Sequence, residues 1–167
     1  LHHRAGRSWR GRNGRAIAFL ITSVLAGPVL LVNVILKEFW GRARPHQIED
    51  FGAGEATFSP AWTPVAECAS NCSFVSGDVS IAVWFFAIVF VIRGATPRRV
   101  AILFASAFSI YAIALRLIMG AHFLSDVLLS TVMTFGVVWI CHALIVARMS
   151  GDLRAAALDW WRAPDGR

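Results

Sequence analysis

Residues 76–92, SGDVSIAVWFFAIVFVI, decide the fold. A polar turn, Ser76-Gly77-Asp78, opens a run whose second half, Ile81 to Ile92, has no charged side chain and no Ser, Thr, Asn or Gln. A helix on the surface of a soluble domain keeps a polar stripe for water, and this run has none. It therefore reads as a membrane segment. Spanning needs ~20 mostly apolar residues. Val79 to Ile92 is short by that measure and reaches a usable length when the helix begins at Ser76.

Three further runs flank it. Ala16 to Leu36 precedes it, interrupted by Pro28 and Asn33; Val100 to Met119 and Phe123 to Ala147 follow. The composition agrees: 57% of the 167 residues are hydrophobic and 16% charged, against about 25% charged in soluble domains. The expectation is an all-α polytopic bundle with four transmembrane helices, residues 1–150 forming one domain and 151–167 a cytoplasmic tail. No cleavable leader is evident at the basic start. The net charge of +6 does not indicate nucleic acid, because the cations fall at the ends of apolar runs.

Four spans sort those cations by side. Arg4, Arg7, Arg10, Arg12 and Arg15, then Arg93, Arg98 and Arg99, then Arg148, Arg154, Arg162 and Arg167 share one face. Only Lys37, Arg42, Arg44 and Arg116 lie on the other. The positive-inside rule assigns the first set to the cytoplasm. Cys68 and Cys72 lie in the outward loop, compatible with a disulfide in an oxidising compartment and equally with two reduced thiols. A zinc site lacks further ligands nearby. Trp40 and Trp62 are placed either at headgroup level or packing that loop onto the helix ends.

The outward face also collects the chemistry-bearing residues. Lys37 ends the first span and Arg44 follows seven residues later, Ser76-Gly77-Asp78 begins the second, Arg116 ends the third, and His122 and Asp126 begin the fourth. Each alone has a plain structural reading: a snorkelling anchor, a helix cap, an i,i+4 polar pair. Together, three cations beside a helix N-terminus describe an anion site, since arginine and free N–H groups match phosphate oxygens.

Lys37-x6-Arg44-Pro45, then Ser73-Phe74-Val75-Ser76-Gly77-Asp78, then Arg116-x5-His122-x3-Asp126 resembles the three-part signature of the type 2 phosphatidic acid phosphatase (PAP2) superfamily, which includes lipid phosphatases and vanadium haloperoxidases. The resemblance implies a bundle usually of six spans, so that two N-terminal helices are absent here or lie upstream. It implies that Lys37, Arg44, Arg116, the Ser76 hydroxyl and the Gly77 N–H bind phosphoryl oxygens. It implies that His122 is the nucleophile and that Asp126 holds its tautomer. Fixed cations would replace a metal, so no cofactor is expected. Four spans disfavour a haloperoxidase.

The middle motif departs from the family's Pro-Ser-Gly-His. Asp78 stands where the family places its general acid. Three outcomes are open: Asp78 as an acid whose pKa rises in the substrate complex, protonation by water with a good leaving group, or a site that only binds anions. His46 is a candidate stand-in. The form NCSFVSG followed by an acid is similar to bacterial lipid A phosphatases of the 4′ type. The expected activity is therefore metal-independent hydrolysis of a lipid phosphomonoester or pyrophosphate, at the periplasmic face of an inner membrane. The alternatives are a phosphotransferase using the same phosphohistidine intermediate that the resemblance implies, and a catalytically weak anionic-lipid-binding protein. The implied partners are a phosphorylated lipid and the bilayer.

Overall fold

A computed structural model describes residues 12–51 and 54–147; the first arginines and the expected tail 151–167 lie outside the described residues. Four helical rods make up the bundle: α1 (Asn13–Phe39), α2 (Gly77–Val91), α3 (Ala95–Ile118) and α4 (Leu124–Val146). Among the described residues there is no strand, only one bridge between Ile48 and Ala56 in the loop after α1.

Three of the four expected spans, α1, α3 and α4, are long and apolar enough to cross a membrane; α2 is shorter. It consists of two pieces, Gly77–Trp84 and Phe86–Val91, which meet at Phe85. There the Phe85 N–H bonds to Ala82, three residues back, and tightens the turn. The short helix is the one most enclosed by its neighbours, packing against α1, α3 and α4. The connection Arg93–Arg99, expected as a loop, is mostly helix: α3 starts at Ala95, with Gly94 (φ +88°) before it and Pro97 in its first turn. Proline is tolerated there because first-turn N–H groups have no partner in the helix.

The bundle carries apolar side chains outward and small polar ones inward. Ile21, Leu25, Leu103, Phe104, Val132 and Trp139 are exposed, whereas Ser80, Ser109, Ser130 and Thr134 are buried. Lipid tails solvate the first set, and Ser80, Ser130 and Thr134 of the second hydrogen-bond between helices. Ser80 and Thr134 share a bond of 2.7 Å, and Ser130 Oγ donates to the Ser76 carbonyl at 2.6 Å, joining α4 to α2. On the other side of α2, Trp84 Nε1 donates to Ser23 Oγ of α1 at 3.0 Å.

Pro28 lies inside α1, and the stretch Leu25–Leu36 around it is π-helical. Proline lacks an N–H and crowds the carbonyl four residues back, so the turn widens. Asn33 Nδ2 reaches the Pro28 carbonyl at 2.7 Å, and the Lys37 N–H bonds to Val32, five residues earlier. The wider turn changes the face on which Lys37 emerges.

The loop from Trp40 to Val75 folds over the end of the bundle. Trp40 stacks on Phe74 with ring centroids 4.4 Å apart and donates Nε1 to the Ala61 carbonyl, so it packs the loop; Trp62 is exposed. Gly41 turns the chain at φ +67°, and a Cβ there would collide with the Val65 carbonyl. Cys68 and Cys72 form a disulfide.

Candidate functional site

Helix ends position most of the residues that the motifs single out, and the loop after α1 positions Arg44, all at one end of the bundle. Lys37 is in the last turn of α1 and Arg116 in that of α3. Ser76 is the N-cap of α2: its Oγ accepts from the Val79 N–H at 3.5 Å, which leaves its own proton free to donate. Gly77 follows directly. A Cβ at Gly77 would stand 2.5 Å from Asn33 Oδ1, so a larger residue would have to displace the Asn33 side chain where α1 and α2 meet. The α3–α4 turn passes through Gly120 (φ +60°), a left-handed residue that ends α3 as glycine commonly does. His122 follows it, and Asp126 lies in the first turn of α4.

The four cations of this end divide into two groups. Lys37 and Arg116 line a cavity of ≈ 350 Å³ together with Asn33, Gly77 and Asp78; Ile81, Phe108, Tyr111 and Leu115 form its apolar wall. By helix register that wall lies deeper, Phe108 being about two turns along α3 from Arg116. Arg116 Nη2 holds Asp78 Oδ1 at 2.9 Å, with the Asp78 side chain half-exposed. Arg44 shares one residue with Lys37: Lys37 Nζ donates to Asn71 Oδ1 at 2.8 Å, and Arg44 Nη2 donates to the same oxygen at 3.1 Å. Partial burial, then the neighbouring Arg116, draw the Arg44 guanidinium below its ordinary pKa, while Asp78 opposes them. These groups lie within electrostatic reach of one another.

Arg42 differs in kind. Only 2% exposed, it ion-pairs with Asp126 Oδ1 at 2.5 Å, donates to Ser125 Oγ at 3.0 Å and to the Ser59 carbonyl at 2.9 Å, and rests on the Phe123 ring at 4.0 Å. The other Asp126 oxygen accepts from Ser73 Oγ at 2.6 Å and from the Phe123 N–H at 3.0 Å.

His122 is buried beside this cluster. Its Nδ1 lies 2.7 Å from the Ser73 carbonyl oxygen. A carbonyl only accepts, so Nδ1 carries the proton. Asp126 Oδ2 is 3.9 Å from Nδ1, too far for a hydrogen bond. The group that directly fixes the imidazole is thus the Ser73 carbonyl rather than Asp126, whose carboxylate acts from one residue away by binding the Ser73 hydroxyl. The remaining ring nitrogen, Nε2, is buried and has no hydrogen-bond partner. Burial above all, with Arg44 and Lys37 adding to it, lowers the His122 pKa to about 4 against the opposing Ser73 hydrogen bond and Asp78. The ring is neutral at pH 7, with its Nε2 lone pair uncommitted.

His46, the candidate stand-in acid, is exposed and docks on the α3–α4 turn, its Nδ1 3.0 Å from the Gly120 carbonyl. Sequence reasoning assigned no part to Arg42, Ser73 or Asn71. Asn71 and Ser73 flank Cys72 in a loop without periodicity, and Arg42 is two residues from Arg44, the arginine that the Lys37-x6-Arg44-Pro45 signature selects. Among the described residues no three His, Cys, Asp or Glu side chains gather as a metal site.

Fold and site together define an integral membrane protein with a cation-lined cavity and a neutral, buried histidine at one end of a helix bundle. The sequence matches the PAP2 superfamily over residues 16–150, and the chain belongs to that superfamily. It is 43% identical over 124 residues to a protein named Lipid A 4′-phosphatase from Rhizobium leguminosarum, covering 74% of this chain and 52% of the relative. A protein of the same name from Rhizobium etli is 43% identical over 124 residues, covering 74% and 48%. One from Francisella tularensis subsp. novicida is 34% identical over 131 residues, covering 78% and 59%. The chain thus spans about half the length of these curated bacterial relatives. No solved structure matches it significantly.

Proposed function

We propose that this chain forms the catalytic part of a bacterial membrane phosphatase that removes a phosphate monoester from a phosphorylated glycolipid. The relatives' name points to the 4′-phosphate of lipid A. The observation that carries the reading is the unpartnered Nε2 of a neutral His122 within electrostatic reach of Lys37 and Arg44. Nε2 attacks phosphorus, the bond from phosphorus to the sugar oxygen breaks, and the leaving alkoxide takes up a proton. Water then attacks the phosphohistidine and releases inorganic phosphate. The cations, the Ser76 hydroxyl and the Gly77 N–H hold the phosphoryl oxygens throughout; phosphoryl transfer depends on such positioning and charge neutralisation. The apolar wall below the cavity suits an acyl chain lying beneath a phosphorylated headgroup. The positive-inside count and the Cys68–Cys72 disulfide support a site facing the periplasm from the inner membrane.

Phosphate release from mixed micelles tests this. Lipid A carrying a 4′-phosphate, phosphatidic acid and a lipid pyrophosphate are compared, each with and without EDTA. Release from lipid A that EDTA leaves unchanged is the expected result. No release from any lipid, or complete dependence on a divalent ion, would overturn it.

Asp78 is assigned the leaving-group proton: the bound phosphate draws Arg116 from the Asp78 carboxylate, which then takes up a proton from water and passes it to the alkoxide. Asp78→Asn keeps the shape and a hydrogen-bond acceptor but has no acidic proton. Turnover is expected to fall about 10²-fold, the contribution typical of a general acid, with lipid binding retained. Unchanged turnover would remove Asp78 from the chemistry.

A further inference from the structure

We infer that Asn71 is a positioning residue of the phosphate site, a neutral clasp that aims Lys37 and Arg44 without cancelling their charge. The inference rests on the phosphatase reading above and names a residue the family motifs do not contain.

Asn71 engages both cations through two oxygens. Its side-chain Oδ1 accepts from Lys37 Nζ at 2.8 Å and from Arg44 Nη2 at 3.1 Å. Its main-chain carbonyl accepts from Arg44 Nη2 at 2.8 Å and from Nε at 3.3 Å. Two long side chains, one from a helix end and one from a loop, thereby acquire a fixed mutual orientation. Ordering such side chains before the ligand arrives removes entropy that binding would otherwise lose.

The segment around Asn71 is itself held. Its N–H lies 3.3 Å from Glu38 Oε1, and the next residue, Cys72, donates its N–H to the Lys37 carbonyl at 3.2 Å and is tied to Cys68 by the disulfide. Asn71 adopts φ +50°, a left-handed conformation that asparagine and aspartate tolerate better than other side chains. The choice of an amide over a carboxylate is then informative. The third cation, Arg116, is paired with a carboxylate, Asp78. A second carboxylate at position 71 would fit the same backbone but would cancel one of the two positive charges that Lys37 and Arg44 offer a phosphate. An amide oxygen accepts from both and leaves their charge for an incoming phosphoryl group.

Asn71→Asp is the discriminating variant, because it preserves shape and backbone and changes only charge. Asn71→Gly is the companion: it allows the same φ, keeps the main-chain carbonyl and removes only the carboxamide. Inorganic phosphate binding is measured by calorimetry on the purified chain in detergent, alongside KM and kcat for the lipid and the melting temperature. The Asp variant is expected to weaken phosphate binding and raise KM about a hundredfold, the scale of effect when a like charge is set against a ligand's anion. The Gly variant is expected to do so about fivefold to tenfold, as the cations lose their fixed orientation. In both, kcat stays within about threefold, since bound phosphate then orients the cations itself. A purely structural loop residue predicts the opposite order, with Asp nearly silent. The inference is overturned by an Asp variant within threefold of the parent in phosphate binding, or by losses confined to kcat. A parent chain that binds phosphate yet hydrolyses no lipid sinks the phosphatase reading and leaves this test standing; one that binds no phosphate sinks both.

Discussion

His122→Ala is expected to abolish phosphate release, by about 10⁴-fold or more, the scale seen when a catalytic nucleophile is removed. Alanine removes both the attacking nitrogen and the N–H that bonds to Ser73, while the Arg42–Asp126 pair keeps its other partners. Substrate binding through Lys37, Arg44 and Arg116 is expected to persist, so the loss falls on kcat. Trapping with acid-sensitive chemistry distinguishes the cause: the parent chain accumulates an acid-labile phosphoenzyme and the variant none. Turnover surviving the substitution would discard the phosphohistidine. The pH profile is a second reading of the same group. With its pKa at about 4, free His122 remains the neutral nucleophile well below pH 6. The acid limb of kcat/KM attributable to it therefore falls near pH 4 rather than near the ordinary value of about 6.5. Stability has the same sign. The unfolded chain takes up the proton near pH 6.5 and the folded one does not until about pH 4, so this group destabilises the fold as pH falls through that window.

Arg42→Ala is the substitution with the largest expected effect on folding. It leaves the Asp126 carboxylate, fully buried, without its cation. Breaking a buried ion pair on one side costs about 3–5 kcal/mol, and the contact with the Phe123 ring is lost as well. Thermal melting in detergent and limited trypsin digestion read the effect; activity falls with the folded population. Arg42→Ala combined with Asp126→Asn is expected to recover part of the stability, because the uncompensated charge is gone, and none of the activity, because the Ser73–His122 arrangement has lost its anchor. An Arg42→Ala chain that melts with the parent would refute this account of the cluster. The pair also shows why two arginines of one motif are not equivalent: Arg42 holds the scaffold of the histidine, and Arg44 faces the site.

Much of this was legible in one dimension. Spans are legible because lipid admits only long apolar helices, and the motif residues are legible because helix ends fall where apolar runs stop. Alternation of four runs then places Lys37, Ser76, Arg116 and His122 on one face without coordinates. What escaped did so for local reasons. The brevity of α2 and its break at Phe85 are invisible in a uniform apolar run. The helical start of α3 at Ala95 is hidden by Gly94 and Pro97, which read as loop residues unless the cap is seen.

The sequence by itself determined a membrane helix bundle and the face on which its chemistry gathers, because both follow from the order of apolar and charged residues along helices; the part proposed for His122 comes from the motif resemblance instead. Only the tertiary structure decided which oxygen fixes that histidine, which arginine is interred and what joins Lys37 to Arg44. Those outcomes depend on Ser73, Arg42 and Asn71, residues of an aperiodic loop whose directions are set by contacts with distant helices rather than by neighbours in the chain.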